Sequence, residues 1–315
     1  MCQHPSMTSS GGRILVIAMV SVVMAGCAEP PATDVILEPS AGSAPLRAGE
    51  RGPYGVERLT QTFRVRVDER VSASVYFPLD PDTRARREGP LAVVVQGGLV
   101  EGERYAWIAE HLATRGFVAI LAEHRSELAL LEAQNSVGVL EAMARDEGLA
   151  GFVQERGVVV GHSLGAVTAA RLWLENADRF SALVMLAGVP AGGDDFAARE
   201  GGAPEDRIIS MTGSQDGRIE PARVEEGIAQ MRQGEAPVYG YVIEGMNHMQ
   251  WTTQIMASEL ENDKAATITD EEAMARGRVM LDLATWYLID VSEGEVLRDG
   301  MRWAQGVSAL GGEVE

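Results

Sequence analysis

The chain has 315 residues, 46% of them hydrophobic and 23% charged, and a formal net charge of −19. That length and composition suit one globular domain, or at most two, around a substantial core. The acidity argues against a phosphate-backbone partner such as nucleic acid, and with only Cys2 and Cys27 present nothing after residue 27 can form an intramolecular disulfide or a cysteine metal site.

Residues 1–27 read as a signal peptide. Arg13 is the only charge before an apolar run, Ile14 to Met24, that is too short to cross a bilayer but right for a signal core. Translation starts at Met1 or Met7. The run ends Met24-Ala25-Gly26-Cys27, which resembles the lipobox of bacterial lipoproteins. That resemblance implies cleavage before Cys27 and acylation of its sulfur and new N-terminus, and several acyl chains give lasting anchoring where one does not. Ala28, in place of Asp, points to the outer membrane. The expected location is the bacterial cell envelope, lipid-anchored, or the exterior if the lipobox is not used. Residues 28–52 are rich in Pro, Ala, Gly and Ser and read as a flexible tether. The folded domain is expected over 53–315.

Thr62 to Val67 and Val71 to Phe77 alternate apolar and polar residues around Asp68-Glu69-Arg70, which predicts an antiparallel hairpin ended by Pro78 and Pro81. Leu91 to Val95 is continuously apolar, as expected of a strand buried on both faces of a parallel sheet. A helix is expected over Tyr105 to Arg115, a strand over Phe117 to Leu121 and a long helix over Leu128 to Arg145. Strands are then expected at Val158 to Val160, Ala182 to Ala187, Ile208 to Met211 and Val238 to Ile243. Helices are expected after Ala166, over Pro221 to Arg232 and over Glu271 to Ile289, the last capped by Thr269-Asp270. Residues 188–206 read as a polar loop and 292–315 as weakly patterned. Strands alternating with helices after an antiparallel start predict one doubly wound, mostly parallel α/β domain.

The chemistry centres on Val158-Val159-Val160-Gly161-His162-Ser163-Leu164-Gly165-Ala166. An apolar strand runs into Gly-x-Ser-x-Gly, and a small-residue helix follows. This is the context of a nucleophile elbow, in which Ser163 is held at the tip of a strained turn. A serine hydroxyl needs a base, and the base needs an orienting acid. His248 is the only histidine after Ser163; His162 is fixed beside the serine, His111 lies in a helix and His124 follows an earlier strand. The acid candidates are Asp216, in Gly213-Ser214-Gln215-Asp216-Gly217, and Asp194 or Asp195 one strand earlier, with Glu220 a weaker choice. The oxyanion donors are expected from the N–H of Leu164 and from Gly97-Gly98-Leu99 after the strand at 91–95, in the Gly98 and Leu99 region. The histidines make no HExxH spacing, and no P-loop or GxGxxG occurs, so no metal or organic cofactor is expected.

From about residue 60 to 290 the chain resembles the α/β-hydrolase fold superfamily of serine hydrolases. Gly-His-Ser-Leu-Gly at 161–165 matches the elbow, Gly-Ser-Gln-Asp at 213–216 the acid loop and Asn-His at 247–248 the histidine loop. Gln96 stands where many relatives carry His. Residues 262–269 look like a segment of bacterial members related to the dienelactone-hydrolase and acetylhydrolase-like branches. The resemblance implies serine-dependent hydrolysis of a small-molecule carboxylic ester, and a thioesterase, peptidase or lipase would present the same three residues. A non-catalytic binding lipoprotein on this scaffold is the competing reading. The short insert at 188–206 leaves no room for a large cap. Met246, Met249 and Trp251 flank His248, either lining an acyl pocket or filling the core.

Overall fold

The computed structural model describes residues 36–37, 46–124, 128–199, 206–289 and 307–310. The signal segment with Cys27, and most of the tether, lie outside the described residues.

The described residues form nine strands of one mixed sheet, flanked by five helices, with a separate short antiparallel pair, β1 (Ile36–Leu37) and β2 (Leu46–Arg47). In chain order the rest are β3 (Gly55–Arg64), β4 (Arg70–Leu79), β5 (Gly89–Val95), α1 (Ala106–Thr114), β6 (Val118–Ala122), α2 (Ala129–Arg145), β7 (Val153–His162), α3 (Leu164–Glu175), β8 (Phe180–Leu186), β9 (Arg207–Gly213), α4 (Pro221–Met231), β10 (Val238–Ile243), α5 (Asp270–Ile289) and β11 (Val307–Ala309). Across the sheet the order is β11-β10-β9-β8-β7-β5-β6-β4-β3. The six strands from β10 to β6 are parallel, and β3, β4 and β11 are antiparallel to their neighbours. This is the α/β-hydrolase fold.

The unbroken apolar strands follow from burial on both faces. Ala92 and Val94 of β5 and Val158 and Val160 of β7 face a core shared with α1 and α5. Leu91, Val93 and Val95, with Val159, face a second core shared with α2, α3 and α4. The chain leaves β5 for β6 on one side and returns to β7 on the other, so the strand order reverses between β5 and β7. A crevice outside the carboxyl ends of the strands opens at such a point. The loops carrying Gly98 and Ser163 therefore meet there.

Three expectations need correction. The hairpin pairs Gly55–Arg64 with Arg70–Leu79, and the turn is centred on 65–69, where the N–H groups of Val65 and Arg66 donate to the Glu69 carbonyl. Val65 leaves the ladder to pack on Gly138 of α2, although alternation alone continues through it. Residues 46–52, expected to end the tether, are docked. Ala48 is in the core, Gly49 N–H donates to Asp282 Oδ2 at 2.7 Å, and Gly52 N–H donates to Thr114 Oγ1 at 3.0 Å. The weakly patterned tail contributes β11, which adds to the open edge of β10.

Candidate active site

The turn from β7 into α3 is as tight as the two glycines require. A Cβ on Gly161 would stand 2.2 Å from the Gly165 carbonyl oxygen, and one on Gly165 would stand 2.2 Å from the Gln96 carbonyl oxygen. Ser163 between them has φ 54° and ψ −121°, a conformation a residue with a Cβ adopts only where its surroundings hold it. Its N–H is held by the Leu186 carbonyl at 2.9 Å, and its own carbonyl accepts from Ala166 N–H at 3.0 Å. The side chain is left at the N-terminus of α3, where backbone N–H groups lack intrahelical partners and the helix dipole favours negative charge.

Ser163 Oγ lies 2.9 Å from His248 Nε2, and His248 Nδ1 lies 2.9 Å from Asp216 Oδ2. Asp216 is wholly buried. Its Oδ1 accepts the N–H groups of Arg218 and Ile219 at 3.0 and 2.7 Å, and the Thr212 hydroxyl approaches Oδ2 at 3.4 Å. The carboxylate is thus oriented by main-chain donors on one oxygen and presents the other to the imidazole. With Nδ1 protonated toward Asp216, Nε2 is free to accept the serine proton.

The other acid candidates face elsewhere. Asp194 pairs with Arg171 at 2.5 Å and accepts Ala191 N–H at 2.9 Å, with burial pushing its carboxyl up. Asp195 accepts the N–H groups of Ala197 and Ala198, and Glu220 pairs with Lys264 at 3.2 Å. Met246, Met249 and Trp251 are all buried in the core, so they support the histidine loop and do not line a cavity beside it.

Beyond β5 the chain turns sharply. Val100 N–H donates to the Gly97 carbonyl at 3.3 Å, and Leu99 takes φ 57°. Gly97 N–H is taken by Tyr105 Oη at 3.0 Å. A Cβ on Gly98 would meet Leu164 Cδ2 at 3.0 Å, which places the turn directly beside the residue after the serine. The N–H groups of Gly98, Leu99 and Leu164 are therefore the donors available on this side of Ser163. Gln96 does not enter the turn; its Nε2 holds the His124 carbonyl at 2.9 Å.

Two features were not foreseen. Asp263 clips the acid loop to the histidine loop. Its Oδ1 accepts Gly217 N–H at 2.8 Å and its Oδ2 accepts Met249 N–H at 3.3 Å. The neighbouring segment adds Lys264 and Ile268 carbonyls for Asn247 and Gln250. The only sequence signal was the resemblance noted over 262–269. The second feature is His162, whose ring lies 4.8 Å from that of His248 and is hydrogen-bonded at both nitrogens. Its place inside the elbow was visible, but its partners were not.

The model of the alpha/beta hydrolase family matches residues 91–275, more than half of the chain. No curated protein matches in sequence. Among solved structures the chain is similar to a ferulic acid esterase from Streptomyces cinnamoneus, at a TM-score of 0.60 and 16% identity over 84% of this chain and 98% of that one. It is also similar to Est1E from Butyrivibrio proteoclasticus, at a TM-score of 0.47 and 15% identity over 60% and 90% of the two chains. The likeness to the ferulic acid esterase speaks for the fold, and the family match covers the strand before the turn at Gly98, the elbow, the acid loop and the histidine loop together. The chain belongs to the alpha/beta hydrolase family.

Proposed function

We propose that the protein is a serine-dependent hydrolase of carboxylic esters, and the observation that carries this reading is the continuous chain Ser163–His248–Asp216 beside free N–H donors. Ser163 Oγ attacks the acyl carbon as His248 Nε2 takes its proton. Asp216 holds the ring and balances the imidazolium charge. The N–H groups of Leu164 and of Gly98 or Leu99 bind the oxyanion. His248 then returns the proton to the departing alkoxide, leaving an acyl-serine. Water, deprotonated by the same nitrogen, attacks that ester and releases the acid and Ser163.

An apolar ester suits the surroundings. Leu99, Leu130, Leu131, Met256 and Leu260 are exposed, and all lie on segments that follow the carboxyl ends of β5, β6 and β10. Water-exposed apolar side chains gathered on one end of a sheet mark a surface that meets something apolar. We further propose that acyl chains on Cys27 hold the enzyme at the cell envelope, on the strength of the Ala-Gly-Cys sequence after its apolar run.

The test uses the full chain in detergent, treated with a fluorophosphonate probe and assayed on p-nitrophenyl esters from acetate to decanoate and on methyl ferulate. Labelling and turnover are expected in the wild type. Both should be lost in Ser163→Ala, turnover by about 10⁴-fold or more. A folded wild type that neither labels nor turns over any ester would end this reading in favour of a binding protein.

A further inference from the structure

Behind the three residues runs a second hydrogen-bonded chain, and its directions are fixed by the chemistry of its members. Gly97 N–H can only donate, so Tyr105 Oη accepts from it at 3.0 Å and has its own proton left to give. That proton points to His162 Nδ1, 2.8 Å away. On the other side of the ring, Nε2 lies 3.0 Å from the main-chain carbonyl of His248. A carbonyl can only accept, so Nε2 carries the hydrogen. Every partner is satisfied by one state of His162, the neutral ring protonated at Nε2. Tyr105 and His162 are buried, and burial, with His248 adjacent, pushes His162 well below the ordinary histidine range.

The two ends of this chain are the two parts of the site that must keep register during the reaction. One end is the first residue of the turn that offers Gly98 and Leu99 N–H. The other is the backbone of the base. The space confirms the bridge: a Cβ on Gly97 would stand 2.8 Å from Tyr105 Oη and 3.1 Å from His162 Nδ1, so the pair occupies the room a side chain would need.

We infer that Tyr105 and His162 are positioning residues that hold the oxyanion turn and the main chain of His248 as one rigid unit. This rests on the ester-hydrolase reading. The bridge also removes Gly97 N–H from the oxyanion donors and assigns that role to Gly98 or Leu99. A proton on His162 would break the bond from Tyr105 and place positive charge beside the imidazolium that His248 must form, so the bridge works by staying neutral.

Tyr105→Phe removes one oxygen and keeps the ring. With active sites counted by fluorophosphonate labelling, kcat on p-nitrophenyl butyrate should fall about 10- to 100-fold, the scale of a small misplacement near the reacting atoms, with KM within about twofold. Affinity for a trifluoromethyl ketone, which forms an oxyanion on Ser163, should fall by a similar factor. His162→Leu should lose as much. His162→Gln, which can still offer an N–H toward the His248 carbonyl, should recover part of the loss. An active wild type with Tyr105→Phe unchanged in kcat per labelled site and in ketone affinity would overturn this inference alone. So would His162→Gln and His162→Leu losing equally. An inactive wild type would overturn the ester-hydrolase reading and this inference with it.

Discussion

Among the described residues there are two buried histidine–aspartate pairs, and they make an instructive contrast. His248 and Asp216 meet at 2.9 Å at the carboxyl ends of the strands. His111 of α1 and Asp282 of α5 meet at 2.7 Å between those two helices. In the first pair every other donor to the carboxylate is neutral: two backbone N–H groups and the distant Thr212 hydroxyl. The second carboxylate also accepts Arg115 Nη2 at 2.6 Å and Gly49 N–H at 2.7 Å. Asp282 is already balanced by a guanidinium and serves to tie residues 48–52 to the helices. Asp216 has no such counter-charge among its described partners, so a proton arriving on His248 supplies it. The lesson is that a His–Asp contact does not define a site. What matters is whether the carboxylate's charge is spoken for, and whether the second ring nitrogen faces a nucleophile.

The largest expected effect tests the first pair. Asp216→Asn should lower kcat by about 10⁴-fold, because the amide favours the wrong tautomer of His248, while the thermal midpoint moves little. Asp194→Asn, assayed beside it, should keep turnover. The reverse result would move the orienting acid one strand earlier. The second pair should show the opposite signature. Asp282→Asn leaves Arg115 buried without its carboxylate and should cost about 3–5 kcal/mol by urea unfolding, with kcat per labelled site within about twofold of wild type. Loss of turnover in the remaining folded Asp282→Asn molecules would break the contrast.

The smallest effect sharpens it with a histidine that has no carboxylate partner among the described residues. Among the described residues the His124 ring is hydrogen-bonded only to the Ser136 hydroxyl, at 3.3 Å, and burial lowers its pKa from 6.5 to about 4. As pH falls below 6.5 the unfolded chain takes up this proton and the native state does not. Stability should therefore be full above that value and fall toward pH 4 by about 1.4 kcal/mol per pH unit for such a histidine. Urea unfolding at pH 7 and pH 5 should show that slope, with His162 adding to it, and His124→Gln should remove one histidine's share. An unchanged slope in the variant would show that His124 already titrates normally.

How much of this was legible follows from where the information resides. β5, β7 and β8 announce themselves because burial on two faces demands unbroken apolar runs. Ser163 is marked by local backbone geometry, which two glycines encode within five residues. His248 follows from elimination and its place after the last parallel strand. The choice between Asp216 and Asp194 is not local. It depends on which loop turns toward His248, and that is set by Gly213 packing under the Met246 carbonyl and by Asp263 holding Gly217. The docking of 46–52 was hidden because its ties run from backbone N–H groups to side chains far along the chain, which no composition reveals. β11 was hidden for a related reason: Val-Ser-Ala becomes a strand only because β10 offers it an unpaired edge.

That edge bears on how the protein is made. β10 ends at Ile243 and its outer partner starts at Val307, so during synthesis the strand emerges from the ribosome well before its cover. Early in that interval His248 and then the Asp263 clip emerge and complete the candidate site, yet one side of the sheet displays a row of unsatisfied N–H and carbonyl groups, the template on which strands of neighbouring chains add. The other margin, β3, is complete from the start and carries Arg58, Thr60, Thr62 and Arg64 on its exposed positions. Shortening the chain after α5 would leave the chemistry untouched and turn a transient hazard of biosynthesis into a permanent one.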